Sequence, residues 1–139
     1  VLAQRGRPLG LTFAPRRRLS NSRLALLAGE EARDQGGFAP FHEAMFAAYF
    51  RDGKDIGDEK VVLEVAAAAG LDLAALTASL EDGRHLPRLA TVRERARAVG
   101  LTAVPTFVLA RLGRQEKIVG AIELDAFRDT LARLARSAG

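Results

Sequence analysis

Few residues in this chain could carry chemistry, and two of them are neighbours at the mouth of a strand. They are Val104 and Pro105, within Gly100-Leu-Thr-Ala-Val-Pro-Thr-Phe-Val-Leu-Ala110. Pro105 has no N–H to give to a ladder, which confines it to a strand entrance or edge. The histidines are His42 and His85. A metal site needs three or four ligands, and no cluster of that size, His with Asp or Glu at helical spacing, is read from the sequence. His42 follows Phe41 on an aromatic helix and reads as a packed or surface residue. Asp55, Asp58 and Glu59 lie close together without the spacing of a calcium loop. Ser20 and Ser22 have no base nearby and read as helix caps. No Gly-x-x-x-x-Gly-Lys loop is present to cradle phosphate. Cysteine is absent, which excludes a thiolate nucleophile, a thiolate metal site and a disulfide framework within these residues. No metal and no cofactor is expected.

The 139 residues suit a domain of ordinary size, and 48% hydrophobic content is enough to build a core without disulfides. Net charge is +4 and the pI about 10.3, with much of the positive charge between Arg5 and Arg18. Clustered arginine could contact phosphates. However, no aromatic residues interleave the run Arg16-Arg17-Arg18 as single-strand binders require, so it reads as a solvated surface. Nucleic acid is not an expected partner. No run of about 18 apolar residues exists, so no membrane span is expected. The N-terminal stretch lacks the apolar centre of a signal peptide, and a cytoplasmic location is the expectation.

These residues are positioned by a mostly helical pattern. Residues 1–19 are basic, are broken by Gly6, Pro8, Gly10 and Pro15, and read as a loop. A helix follows from Ser20 or Asn21 to Gly36-Gly37, with Leu24, Leu27, Ala28 and Ala32 on one face. A second covers about Pro40 to Phe50, where Phe41, Met45, Phe46, Tyr49 and Phe50 form an aromatic stripe that reads as core. Asp58 caps a third helix to Ala69, with Val62, Val65, Ala66 and Ala69 facing inward. Asp72 caps a short fourth helix to Leu80. A fifth spans Pro87 to Val99, and its buried stripe is expected to be Leu89, Val92, Ala96 and Val99.

Two strands come next, Thr106 to Ala110 and Lys117 to Gly120, joined by Arg111-Leu-Gly-Arg114 as a hairpin. A last helix begins near Leu124, with Leu124, Phe127, Leu131 and Leu134 at three- and four-residue steps. The almost wholly apolar first strand predicts cover on both faces and neighbours on both sides. A hairpin is marginal by itself. Either the helices cover this one, or further strands lie outside these residues.

Six segments taken in order resemble the DsbA-like family, and within it the FrnE-type branch. They are Asn21-Ser-Arg-Leu-Ala25, Phe41-His-Glu-Ala-Met-Phe-Ala-Ala-Tyr-Phe50, Gly53-Lys-Asp-Ile-Gly-Asp58, Ala69-Gly-Leu-Asp72, Ala103-Val-Pro-Thr-Phe107 and Val119-Gly-Ala121. They span most of the chain, from Leu19 to Leu131. The resemblance implies an α+β fold, a thioredoxin domain interrupted by a helical insertion. On this reading residues 1–19 form a basic segment and residues 20–100 the insertion. Residues 101–139 form the C-terminal hairpin and helix of the thioredoxin domain, and its N-terminal β-α-β part, with Cys-x-x-Cys, would lie upstream of Val1.

The resemblance also implies a cis bond between Val104 and Pro105, the one kind of linkage where cis is accessible at modest cost. The backbone of Val104 would then turn outward to pair with an extended substrate. Val104 and Pro105 are thus the expected substrate-binding residues, and no catalytic residue is expected within the chain. The implied activity is thiol–disulfide exchange on a protein or small thiol or disulfide, by an enzyme whose redox cysteines are not in this chain. Alone, the chain is expected to be redox-inactive.

Two other readings stand beside it. The related kappa-class glutathione transferases and 2-hydroxychromene-2-carboxylate isomerases use glutathione and a serine. Their Asp-Arg-type segment is missing from Gly120-Ala-Ile-Glu-Leu-Asp125, and Ile122 also departs from the Gly-Ala-Gln of the FrnE-type branch. The third reading is a non-catalytic helical module that dimerises. An uncharged strand edge at Thr106 to Ala110 makes a homo-oligomer the expectation.

Overall fold

The computed structural model describes residues 2–15 and 19–136. It shows the expected α+β class, helices with one two-stranded antiparallel sheet. The chain divides into two compact units, Val1–Thr91 and Val92–Gly139, and the division falls inside a helix, Leu86–Ala98.

In the first unit, α1 (Leu2–Gly6) and a 3-10 turn (Arg7–Leu9) replace part of the expected N-terminal loop. Pro8 is tolerated there because the first helical turn has no partner for its missing N–H. Gly10 then ends the turn at φ 71°, a left-handed conformation open to glycine. Phe13 packs edge-on against Phe50, and Ala14 N–H donates to the Phe50 carbonyl at 2.8 Å, fastening this segment to the helical body. The run Arg16-Arg17-Arg18 lies outside the described residues.

Four helices make that body: α2 (Arg23–Asp34), α3 (Phe38–Phe46), α4 (Glu59–Ala68) and α5 (Leu73–Asp82). The aromatic helix begins two residues before Pro40, which is compatible with a proline in the first turn. Its end widens into a π-helical turn over Ala47–Arg51. Both predicted aspartate caps form. Asp58 Oδ1 accepts from Lys60 N–H at 2.9 Å, and Asp72 Oδ1 accepts from Ala74 and Ala75 N–H at 2.8 and 3.1 Å.

The core of this unit gathers Ala25, Ala28 and Ala32 of α2 against Phe41 and Met45 of α3, with Val62, Ala66 and Leu76 closing it from α4 and α5. Small residues on α2 let the neighbouring helices approach closely, and the large ones fill the space between them. Phe41, Val62 and Leu76 are almost wholly buried, each removed from water at a gain of about 1.5–3 kcal/mol. Of the predicted inward face of α4, Ala69 is only half-buried.

Helix α6 (Leu86–Ala98) corrects the sequence expectation. None of its residues is buried: Leu89 and Ala96 are half-buried, while Val92 and Val99 are 61% and 55% exposed. The described residues leave that face in solvent. Its apolar spacing marks a surface that could be covered, without supplying the cover.

The second unit holds β1 (Thr106–Arg111), β2 (Arg114–Val119) and α7 (Leu124–Arg136). The strands pair from Thr106↔Val119 to Arg111↔Arg114 around the two-residue turn Leu112-Gly113, where both residues have positive φ, 47° and 77°. That is the backbone of the hairpin turn whose twist matches the strands. α7 packs on β1 through Phe107 and Phe127, whose rings meet edge-on at 5.1 Å. Arg133 reaches Glu116 of β2, and Lys117 Nζ donates to the Val99 and Gly100 carbonyls at 3.1 and 3.3 Å. The cover expected on both faces of β1 is not provided. Phe107 and Val108 are 38% and 43% exposed, and among the described residues the sheet stops at two strands.

Candidate functional site

The loop from Leu101 to Pro105 brings Val104 and Pro105 to the entrance of β1. Their peptide bond is cis. Two hydrogen bonds fix the loop at its strand end. Thr106 Oγ1 donates to the Ala103 carbonyl at 2.6 Å, and Gly120 N–H donates to the Pro105 carbonyl at 2.8 Å. The strand register begins at Thr106, so Val104 lies beyond the ladder, and it is 94% exposed. An apolar side chain that open, on a loop held at its strand end, presents a surface for contact. No nucleophile or titratable side chain adjoins it in the sequence: Ala103, Val104, Pro105 and Thr106 supply backbone and one hydroxyl. What this loop can do chemically is hold an extended partner through its backbone.

The helical unit contains a polar cluster that the sequence did not announce. His85, between α5 and α6, sits with Nε2 2.7 Å from Oε2 of Glu31 on α2, and both side chains are buried. Gln35 Nε2 donates to Glu31 Oε1 at 3.0 Å. Burial by itself would raise the Glu31 pKa. The hydrogen bonds from His85 and Gln35, the charge of His85 and a bond from Ser79 outweigh it and hold the carboxyl below its ordinary value. Beside them, Arg88 donates to Asp34 at 2.7 Å and lowers that carboxyl too.

Donor atoms of Glu31, Asp34 and His85 lie within 4.8 Å of one another. The sequence showed no such cluster because Glu31 and His85 are 54 residues apart and share no helix. Each member already has protein partners: Glu31 has His85 and Gln35, and Asp34 has Arg88. The arrangement is that of a satisfied structural network, tying α2 to the chain between α5 and α6.

The other candidates separate. His42 is exposed and lies in a row of rings along α3, stacked at 5.1 Å on Phe38 and tilted at 4.5 Å against Phe46. Asp55 Oδ1 accepts from Gly57 N–H within its own turn, Asp58 caps α4, and Glu59 stands in the first turn of that helix. Ser22 occupies the N-cap of α2 without a side-chain bond to it, and Asn21 Oδ1 accepts from Arg23 N–H instead. Ser20 lies just before that cap. The structure thus places Val104 and Pro105 on an exposed loop, draws His85 to Glu31, and leaves His42, Asp55, Asp58, Glu59, Ser20 and Ser22 apart from both.

No helix among the described residues is long and apolar enough to cross a membrane. Against known proteins, the model of the DSBA-like thioredoxin domain matches residues 7–132. A crystal structure from Nitrosomonas europaea, described as that of a candidate protein disulfide isomerase, superposes with a TM-score of 0.69 at 15% identity. The superposition covers 96% of this chain and 70% of that one. A search of curated proteins finds no match. With residues 7–132, most of its length, matched by that domain, the chain belongs to the DsbA-like thioredoxin-domain family.

Proposed function

We propose that this chain is the substrate-facing portion of a thiol–disulfide oxidoreductase of the FrnE-type branch. The match over residues 7–132 in a sequence without cysteine carries the reading. The family's chemistry is thiol–disulfide exchange, and the thiol must come from residues other than these. In that reaction a thiolate at a helix N-terminus attacks one sulfur of a substrate disulfide, forms the mixed disulfide and releases the other sulfur as a thiolate. Val104 and Pro105 face the attacked sulfur, and the backbone of Val104 pairs with the substrate strand. The helices of residues 20–100 act as a helical lid that shapes where the substrate binds. The substrate is a protein or small molecule bearing a thiol or disulfide, handled in the cytoplasm.

The test reads the frame upstream of Val1 and assays its full product for insulin reduction beside the 139-residue chain. Cys-x-x-Cys upstream, with activity in the full product and none in the chain alone, is expected. A serine without cysteine, or a full product that does not exchange disulfides, would overturn the proposal.

A further inference from the structure

The loop that carries Val104 and Pro105 runs between the end of α6 and the start of β1. Its strand end is fixed by Thr106 on the Ala103 carbonyl and by Gly120 on the Pro105 carbonyl. Its helix end has a tether of another kind. Lys117, in the middle of β2, reaches across to donate from Nζ to the Val99 and Gly100 carbonyls, at 3.1 and 3.3 Å. Those carbonyls stand just past the C-terminus of α6, where acceptors lack helical partners and the peptide dipoles gather negative charge.

The strand register gives Lys117 that reach. It pairs with Val108, so the two side chains share one face of the hairpin. The other face carries Phe107 and Glu116, and α7 packs on it, with Phe127 against Phe107 and Arg133 against Glu116. Gly100 shapes the turn that the ammonium holds. Its φ is 65°, the left-handed conformation that ends many helices. Its N–H donates to the Arg97 carbonyl and the Leu101 N–H to the Ala96 carbonyl, both at 2.9 Å. A Cβ on Gly100 would stand 3.4 Å from Lys117 Nζ, so the amine lies directly against this turn.

We infer that Lys117 is a positioning residue for substrate binding: by tying the end of α6 to β2, it fixes the helix end of the loop that presents the Val104 backbone. The inference rests on the reading proposed above, in which that backbone pairs with a substrate strand. A loop with both ends fixed is ordered before the strand arrives, so less of the binding free energy is lost in ordering it. Lys117 touches no reacting atom, and its loss weakens binding rather than sulfur exchange.

The experiment compares the unaltered sequence with Lys117→Met, which keeps an apolar stem and removes the donors. Arg133→Met is the control, since it breaks the Glu116 contact of the same hairpin and leaves the tether in place. In the 139-residue chain, amide exchange at Gly100 and Leu101 should quicken severalfold in Lys117→Met and hold steady in Arg133→Met. In the full product, Lys117→Met should raise KM for insulin about three- to tenfold with kcat little changed. KM for hydroxyethyl disulfide, which has no backbone to pair, should not move. Unchanged exchange at Gly100 and Leu101 would overturn the inference. So would an equal rise in KM for both disulfides, or the same rise in Arg133→Met, since either marks a general loosening. An unaltered full product that exchanges no disulfides would overturn the functional reading and the substrate role with it, while faster amide exchange in Lys117→Met would still establish the tether.

Discussion

Glu31 and His85 meet at 2.7 Å across 54 residues of sequence, nearly free of solvent, and so join α2 to the turn that launches α6. Removing His85 takes the shortest hydrogen bond from the buried Glu31 carboxylate and leaves it Gln35, a loss of about 1–3 kcal/mol. Against a typical domain stability of about 5–15 kcal/mol, that is a large fraction. His85→Ala is therefore expected to lower the urea midpoint steeply. The double variant Glu31→Leu/His85→Leu, which removes both polar groups and nearly keeps the volume, should recover much of the loss. Equal midpoints for the single and double variants would show that the pair is not coupled.

The same carboxylate gives a pH dependence of known sign. The folded pKa of Glu31 lies below its ordinary value of 4.5. Its contribution to stability is full above that value and is lost as pH falls through the lower folded one. Urea midpoints measured from pH 7 downward should decline once the pH drops below about 4.5. Glu31→Gln should start lower at pH 7 and decline less over that acid window. An acid limb equally steep in the variant would assign the loss to other carboxylates.

Helix caps offer a contrast between two positions that look alike in sequence. Asp72 accepts two backbone N–H bonds at the start of α5, and its own N–H and C=O are held by Gln35. Ser22 stands at the N-cap of α2 without a side-chain bond to the helix. Asp72→Ala is expected to cost about 1 kcal/mol, and Ser22→Ala to change stability by less than about 0.5 kcal/mol. Thermal melts of the two variants side by side decide it, and a larger loss from Ser22 would reverse the assignment.

Local signals made most of the fold legible. Asp58 and Asp72 marked helix starts, Leu112-Gly113 marked the hairpin turn, and the period of Leu124, Phe127, Leu131 and Leu134 marked α7, where Leu134 is buried. Val104 and Pro105 were singled out through the family resemblance, whose segments can be read in order along the chain. The Glu31–His85 pair was not, since a pairing 54 residues apart depends on how α2 and the α5–α6 turn pack, which no spacing within one helix encodes. The early helix α1 was missed because Gly6 and Pro8 read as breakers, although proline is acceptable in a first turn.

The stripe on α6 shows where pattern and burial part company, and it yields the sharpest check on the fold. Val92 and Val62 have the same side chain, and each sits on an apolar helical stripe. Val62 is fully buried in the helical core, whereas Val92 is 61% exposed. Truncating a buried valine loses the transfer energy of the removed carbons, about 0.8 kcal/mol each, and leaves a cavity besides. Val62→Ala should thus cost about 2 kcal/mol. An exposed valine has little to lose. Val92→Ala should stay within about 0.5 kcal/mol, and alanine's better helix propensity works in its favour. Urea unfolding of both variants, read by circular dichroism, measures the difference. If Val92→Ala cost as much as Val62→Ala, the α6 stripe would be buried in solution, by another part of the chain or by a partner.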